Sequence, residues 1–440
     1  MLSAIFWRLP TADLARRSLN ADSFAAGLHD GQRRAFEAVR QLARETGTQV
    51  YLVGGPVRDA LLGVPALDLD FAVEGDAPSL ARQLVKRLNG RVTTYASFGT
   101  ATVSTEGLRV DLVTARRESY RQPGSLPQVR PGSIRDDLAR RDFTINAMAL
   151  PLSAGEEGLL DPLGGLADLE AGVVRSLHPL SFVDDPTRMM RAVRYEQRFG
   201  FSIDSETQAA MSHALSAGYM DAVSGDRWRH ELERILDEAN PVAPLSRAVD
   251  LGLLAGLHPA FARLNENGEG GLQRLEALRQ AWGAVEPDFC LAALVSPLSD
   301  SEAEGVIQRL RLSGQRAALA RDTIRLKQSE PRLKAGGVRP SQLARMLEGL
   351  EPAAVSAWAE LTANEAVADA LHRYATELRF VKPRLSGAAL LEMGVTEGPM
   401  VGKILACLRE ARLDGTVKTE AEEMALALDC MARASTELTK

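Results

Sequence analysis

Two aspartates one residue apart, Asp68 and Asp70, stand in the otherwise apolar run PALDLDFAV. In an extended segment, side chains at i and i+2 share a face, so the two carboxylates converge on one point. Two uncompensated carboxylates side by side are costly unless a cation joins them. Hard oxygens of this kind suit Mg²⁺, and paired metals can activate a hydroxyl while stabilising a departing pyrophosphate. Asp111, in the nearby run LRVDLVTA, is a candidate third carboxylate. The plain alternative is a pair of strand-end acids facing water.

Just upstream, LVGGPVRDALLG reads as a strand that ends in paired glycines and turns directly into a helix. Gly54 and Gly55 would let the backbone approach a ligand, with amide groups at the helix start available to phosphate oxygens. No Gly-Lys-Ser/Thr follows, so this is not a Walker A loop. Taken alone, the glycines could be an ordinary turn, and Arg58 with Asp59 a surface charge pair.

The elements that must position these groups change character near residue 180. From about 48 to 150, short β-like runs (TQVYLVGG, LDLDFAV, GRVTTYA, TATVST, LRVDLVTA) alternate with the helical stretches PVRDALLG and SLARQLVKRL. From about 182 onward the apolar period is helical, as in TRMMRAVRYEQRFG, DRWRHELERILDE and QLARMLEGL. The expected fold is therefore α+β: a small α/β head followed by an all-α neck, body and tail. Expected boundaries are a helical N-terminal extension over 1–47, the head over 48–180, a neck over 181–260, a body over 261–380 and a tail over 381–440. With 440 residues, 45% hydrophobic and 25% charged, the chain is long enough for several domains. No apolar run approaches the roughly 20 residues of a membrane span, and the N-terminal segment lacks the pattern of an export signal. A cytoplasmic protein without a membrane association or an obligate protein partner is expected. Three widely spaced cysteines suggest inert thiols rather than a disulfide framework or zinc site. The net charge of −6 argues against an all-over basic nucleic-acid binder. The basic run from Arg309 to Arg345 is either a solvated helix face or an RNA contact.

The run LVGGPVRDALLGVPALDLDFAV, with ARRDFTINAMAL at 139–150 and DDPTRMMRAVRYEQRFGF at 184–201, resembles the class II tRNA nucleotidyltransferase and bacterial poly(A) polymerase family. That family belongs to the polymerase β superfamily and includes CCA-adding, CC-adding and A-adding members. The resemblance is close over about 48–240 and looser in the stretch LSGAALLEMGVTEGPMVGKILACLREARLDG. It implies catalytic, metal-holding roles for Asp68 and Asp70 and a place beside the triphosphate for Gly54, Gly55 and Arg58. It also puts Arg140, Arg141, Asp142 and Asn146 around the nucleotide and its ribose, and adds Asp185, Arg188, Arg191 and Arg194 to the nucleotide-binding set. Bare, RRDFTINA could be a capped helix start with its arginines in solvent.

Within DDPTR, Pro186 suits the first position of a helix capped by Asp185, which would set Asp185 and Arg188 on one face about a turn apart. A carboxylate acceptor beside a guanidinium donor matches the amino donor and ring-nitrogen acceptor that cytosine and adenine share. Uracil and guanine present the reverse pattern. Such a pair could select C and A without a nucleic-acid template; alternatively, the two residues merely bridge each other. Asp226, Arg227 and Glu231 read as capping and packing of a neck helix. Asp161, Gly164, Gly165 and Asp168 resemble the family's head-to-neck connector, where the glycines would suit a hinge.

The implied reaction is attack of an RNA 3′-hydroxyl, with the tRNA 3′ end favoured, on the α-phosphate of CTP or ATP, with Mg²⁺ and release of pyrophosphate. A poly(A) polymerase, a small-molecule nucleotidyltransferase and a silent RNA-binding protein are the alternatives. The scattered histidines form no His-Asp motif of a metal-dependent phosphohydrolase, so no such activity is expected. The segment ARRESYRQPGSLPQVRPGSIRDDLARRD looks more like partial-adding and A-adding members than CCA-adding ones.

Overall fold

The computed structural model describes residues 19–65, 68–95, 98–105, 107–152, 158–264 and 271–437. The chain divides into two compact units, Met1–Ala262 and Arg263–Lys440.

The first unit opens with helices α1 (Ala21–Ala26) and α2 (Asp30–Thr46). In α2, Ala35, Phe36, Val39, Leu42 and Ala43 recur at helical spacing and are all buried. Gly47, at φ 66°, ends α2 in the left-handed conformation and turns the chain into the sheet. There follow β1 (Gln49–Val53), α3 (Gly55–Leu61), β2 (Leu69–Glu74), α4 (Ala77–Leu88), β3 (Arg91–Tyr95), β4 (Thr100–Thr105) and β5 (Leu108–Thr114). A hairpin of β6 (Arg116–Ser119) and β7 (Gln128–Pro131), helix α5 (Ile134–Ala139) and the short strand β8 (Ala149–Pro151) complete the head. All five strands expected from the sequence are present. The β6–β7 hairpin and β8 were not expected.

The main sheet runs β3-β4-β5-β2-β1-β8. Its one parallel pair, β2 with β5, is central and sets Asp70 directly opposite Asp111. In β2, Leu69, Phe71 and Val73 alternate with Asp70, Ala72 and Glu74. Phe71 meets Phe36 of α2 at 6.2 Å between ring centroids. The opposite face carries Ala72 in a cluster with Tyr51, Val53, Ile134, Leu138, Ala147 and Ala149. Asp70 lies on that second face, near the start of β2, and is only half-buried.

Helices α6 (Gly165–Ala171), α7 (Ser181–Asp184), α8 (Arg188–Phe199), α9 (Ser205–Ser216), α10 (Gly225–Leu236), α11 (Val242–Asp250) and α12 (Leu253–Leu257) follow in the same unit. A two-stranded parallel ladder joins β9 (Val173–Val174) to β10 (Ser202–Ile203). Helix α8 starts two residues later than expected. The residue before a proline is driven to extended backbone, and Asp185 sits at φ −140°, ψ 92°. The chain therefore breaks between α7 and α8, and Thr187 takes the cap position.

The second unit is helical: α13 (Gly271–Trp282), α14 (Pro287–Val295), α15 (Asp300–Arg309), α16 (Gly314–Lys334), α17 (Pro340–Leu347), α18 (Pro352–Leu361), α19 (Glu365–Thr376), α20 (Gly387–Glu392), α21 (Pro399–Leu413) and α22 (Glu420–Glu437). Its basic run is largely partnered. Arg321 pairs with Glu304, Arg325 with Asp322, Lys334 with Glu330, Arg339 with Asp414 and Arg345 with Glu410. No helix among the described residues is long and apolar enough to cross a membrane.

Phe36 ties the N-terminal helices to the sheet. Phe36→Ala should cost about 3–5 kcal/mol, read as a lower urea midpoint; an unchanged midpoint would mean that α2 is dispensable to the head.

Candidate active site

At the start of β2, Asp68 is exposed and Asp70 half-buried. Burial, then the facing Asp111, push the Asp70 carboxyl up to about 6; Arg141 opposes this and Asp68 adds to it. Asp111 is held by Thr102 of β4 and by Arg109, whose Nε is 2.9 Å away. Strand register explains the arrangement, since Thr102 faces Asp111 across one ladder and Asp70 faces it across the next. A divalent cation between Asp68 and Asp70 would remove the cost of the crowded carboxylates. Among the described residues no group of three or more His, Cys, Asp or Glu could hold a metal ion. Remaining ligands would have to be water and substrate phosphate, which is how Mg²⁺ is commonly bound.

The glycine turn lies beside this edge through Arg141. Gly54 has φ 74°, and a Cβ there would stand 2.5 Å from Arg141 Nη1. The positive φ favours glycine, and a side chain there would push the Arg141 guanidinium aside. Arg141 donates from Nη2 to Asp137 Oδ2 at 2.9 Å and from Nη1 to the Asn146 carbonyl at 3.4 Å. Its Nε is buried without a partner.

From the glycine turn a chain of polar contacts runs inward. Arg58 is buried; it donates to Asp59 Oδ1 at 2.7 and 2.9 Å and to Asn146 Oδ1 at 2.6 Å. Its guanidinium also lies over the rings of Tyr195, at 5.1 Å, and Phe199, at 4.7 Å. Arg58 was expected as a triphosphate contact or surface ion pair, and in the structure it is a buried brace. Asn146 Nδ2 donates to Asp142 Oδ1 at 3.0 Å. Asp142 Oδ2 accepts from Arg191 Nε at 2.8 Å and Nη2 at 2.6 Å, so two charge-assisted donors converge on one carboxylate oxygen. Burial works against the Asp142 charge, but Arg191, Asn146 and Arg188 together hold its carboxyl well below the usual range. RRDFTINA is thus a tight 3₁₀ turn, Thr144–Asn146, with its charges turned inward. Arg194 pairs with Glu238 at 3.2 Å, and Arg140 with Asp137 and Glu118.

Asp185 and Arg188 do not bridge each other. Arg188 donates from Nη1 to Ser181 Oγ and from Nη2 to the Arg140 carbonyl, both at 2.8 Å. Asp185 Oδ1 accepts from Thr187 N at 3.0 Å and Thr187 Oγ1 at 2.6 Å, and pairs with Arg227 Nη2 at 2.7 Å. Arg227 also donates to the Gly124 carbonyl at 2.9 Å, tying the segment after β6 to α10. It was expected to serve only capping and packing; no local pattern marks a partner so distant in sequence. Its neighbour Asp226 pairs with Arg229 within α10, and Glu231 with Arg234, with Glu231 Oε2 buried and unpartnered.

The connector is packed more tightly than a hinge. Asp161 accepts from Gly165 N and Leu166 N at 2.7 and 2.9 Å, and Asp168 accepts from Thr144 Oγ1 at 2.7 Å. A Cβ at Gly165 would lie 2.2 Å from the Thr144 carbonyl oxygen, so glycine is needed there for close approach. Gly164, at φ 75°, precedes α6.

Comparison with known proteins agrees with this architecture. A family model described as "Poly A polymerase head domain" matches residues 50–175, and one described as "Probable RNA and SrmB- binding site of polymerase A" matches residues 200–264. An A-adding tRNA nucleotidyltransferase of Geobacter sulfurreducens is 36% identical over 86% of this chain, which spans 45% of that protein's length. An A-adding tRNA nucleotidyltransferase of Halalkalibacterium halodurans is 34% identical, covering 88% of this chain and 90% of the relative. The solved structure of a CCA-adding enzyme in apo form superposes with a TM-score of 0.74 at 30% identity, covering 96% of this chain and 99% of that one. A polymerase-β-type head carrying a helical neck and body defines a nucleotidyltransferase, and the chain belongs to the tRNA nucleotidyltransferase and poly(A) polymerase family.

Asp142→Ala would deprive the partly exposed Arg191 of its main partner, leaving it Tyr195 Oη and the more distant Glu231, and should cost about 1–3 kcal/mol at neutral pH. Because the folded carboxyl is depressed, its stabilisation is full above the unfolded value of about 4 and lost as pH falls toward the folded value. In urea unfolding, the gap between wild type and Asp142→Asn should narrow below about pH 4; a pH-independent gap would contradict the assignment.

Proposed function

We propose that this chain is a cytoplasmic enzyme that extends the 3′ end of tRNA with C, A or both, taking the nucleotide from CTP or ATP, using Mg²⁺ and releasing pyrophosphate. The observation that carries this reading is the crowded carboxylate edge of Asp68, Asp70 and Asp111 beside a glycine turn that Arg141 links to it. Bound between Asp68 and Asp70, Mg²⁺ would supply charge stabilisation for the 3′-hydroxyl and the leaving pyrophosphate. The chain's own residues do the positioning. Gly54 keeps the backbone low enough for the triphosphate to approach, and Arg141 offers positive charge between turn and carboxylates. Asp142, Asn146 and Arg58 hold the wall of the nucleotide site rigid through Arg191.

Selection of C and A rests on Asp185. All three of its bonds within the protein fall on Oδ1, leaving Oδ2 to accept from the amino group that cytosine and adenine share. Arg188, on the next turn, supplies the donor side once the base draws it from Ser181. Arg227 keeps Asp185 oriented while this happens.

The test uses purified protein with Mg²⁺, CTP and ATP, singly and together, on tRNAs lacking the terminal CCA, ending after its two cytidines, and complete. Discrete additions are expected, and the accepted end assigns C, A or both; long tails on many RNAs would indicate a poly(A) polymerase, and no RNA product would overturn the proposal. Asp68→Ala with Asp70→Ala should lower incorporation by roughly 1,000-fold or more while leaving the unfolding midpoint unchanged or raised, because the fold loses a repulsion. Asp185→Ala should cut discrimination against UTP and GTP by about 10- to 100-fold; unaltered discrimination would remove Asp185 from base reading.

A further inference from the structure

The C-terminal helices hold a feature that nucleotidyl transfer does not use. Helices α20, α21 and α22 close around Leu385, Leu390, Val395, Ile404, Leu408 and Ala427, with Cys430 packed at the border. Cys407 on α21 and Cys430 on α22 lie with their sulfurs 3.1 Å apart, both as free, partly exposed thiols. The sequence suggested unrelated, inert cysteines; the helix pairing brings two of the three together. Cys290 stays apart, fully buried in α14, with burial pushing its thiol up to about 12.

We propose that Cys407 and Cys430 form a reversible thiol–disulfide site, oxidised by a hydroperoxide, that clamps α21 to α22. A disulfide bond is about 2.05 Å long, so the sulfurs must close by roughly 1 Å, a small side-chain rotation between helices already in contact. Ile404, one turn before Cys407, and Leu408, next to it in sequence, are buried in the cluster, as is Ala427, one turn before Cys430. The packing that forms the tail thus fixes the thiol pair in register. Glu423 adds a second restraint: fully buried, it accepts from the backbone amides of Arg384 and Leu385 and pairs with Arg412 of α21 at 2.7 Å.

The chemistry balances with hydrogen peroxide as the two-electron oxidant. The Cys407 thiolate attacks a peroxide oxygen, the O–O bond breaks, and water leaves a sulfenic acid on Cys407. The Cys430 sulfur then attacks the Cys407 sulfur, the S–O bond breaks, and a second water departs with the Cys430 proton. Two thiols and one peroxide become one disulfide and two waters. Burial, then the hydrogen-bonded Cys407 sulfur, push the Cys430 thiol up to about 11. A thiol so raised is a poor first nucleophile, which leaves Cys430 the resolving role.

The test treats the full-length protein with a small molar excess of hydrogen peroxide, blocks free thiols under denaturing conditions, and maps tryptic peptides without reduction. The expected product joins the peptide ILACLR to TEAEEMALALDCMAR, with one blocked thiol per chain, at Cys290, instead of three. Dithiothreitol should restore all three. The oxidised form should unfold at a temperature higher by on the order of 5 °C in the transition of the second unit. Cys407→Ser and Cys430→Ser should each abolish the joined peptide, and Cys290→Ser should leave it intact. Three thiols still blocked after treatment, sulfinic acid at Cys407 without a crosslink, or crosslinks only between chains would each overturn the proposal.

Discussion

The site depends on one buried ion pair. Asp142 follows α5, Arg191 belongs to α8, and their two-pronged contact joins the sheet-bearing part of the first unit to the helices that follow. A carboxylate so buried persists only with a full set of partners. The partners come from three places: the 144–146 turn through Asn146, its own following amide through Phe143, and α8 through Arg191. Arg58 extends the chain to the glycine turn, and Tyr195 with Phe199 roofs it. Residues with family-implied nucleotide roles are therefore first of all one another's partners. Loss of one would be felt along the row.

The acidic edge of Asp68, Asp70 and Asp111 follows the opposite logic. Asp70 is half-buried with Asp111 and Asp68 beside it, and burial first, then Asp111, pushes its carboxyl up. The fold bears this locally because the parallel register of β2 and β5 admits no other placement. A braced, fully satisfied wall beside an unsatisfied acidic edge is what a metal-assisted phosphoryl reaction needs. The wall fixes geometry, and the edge awaits positive charge.

Much of this was legible in the sequence, and the omissions have physical causes. The five strands of the head could be read because short apolar runs were punctuated by glycine and followed by helices of clear period. The β6–β7 hairpin could not, since RRES and QVRP carry charges without alternation, and β8 is only three residues long. Asp68, Asp70 and Asp111 were visible as acids in apolar strands, but the facing of Asp70 and Asp111 depends on a crossover that spacing does not encode. Asp185 and Arg188 stood out as a chemically suggestive pair; the extended backbone that Pro186 imposes on Asp185 suits the cap role expected of it, and its side chain accepts from Thr187 N, but the regular helix begins only at Arg188. The Asp185 partner, Arg227, has no local signature. Tyr195 and Phe199, four residues apart on α8, have a readable spacing, but nothing local marks Arg58 as the group they cover.

The central claim is that the acidic edge holds a divalent cation together with a nucleotide. The direct measurement is electron paramagnetic resonance of Mn²⁺ titrated into the protein with a non-hydrolysable CTP or ATP analogue, for wild type and Asp70→Asn. The account predicts bound Mn²⁺ that depends on the nucleotide and is lost in the variant. Equal binding by both proteins, or none by wild type in the presence of nucleotide, would contradict it.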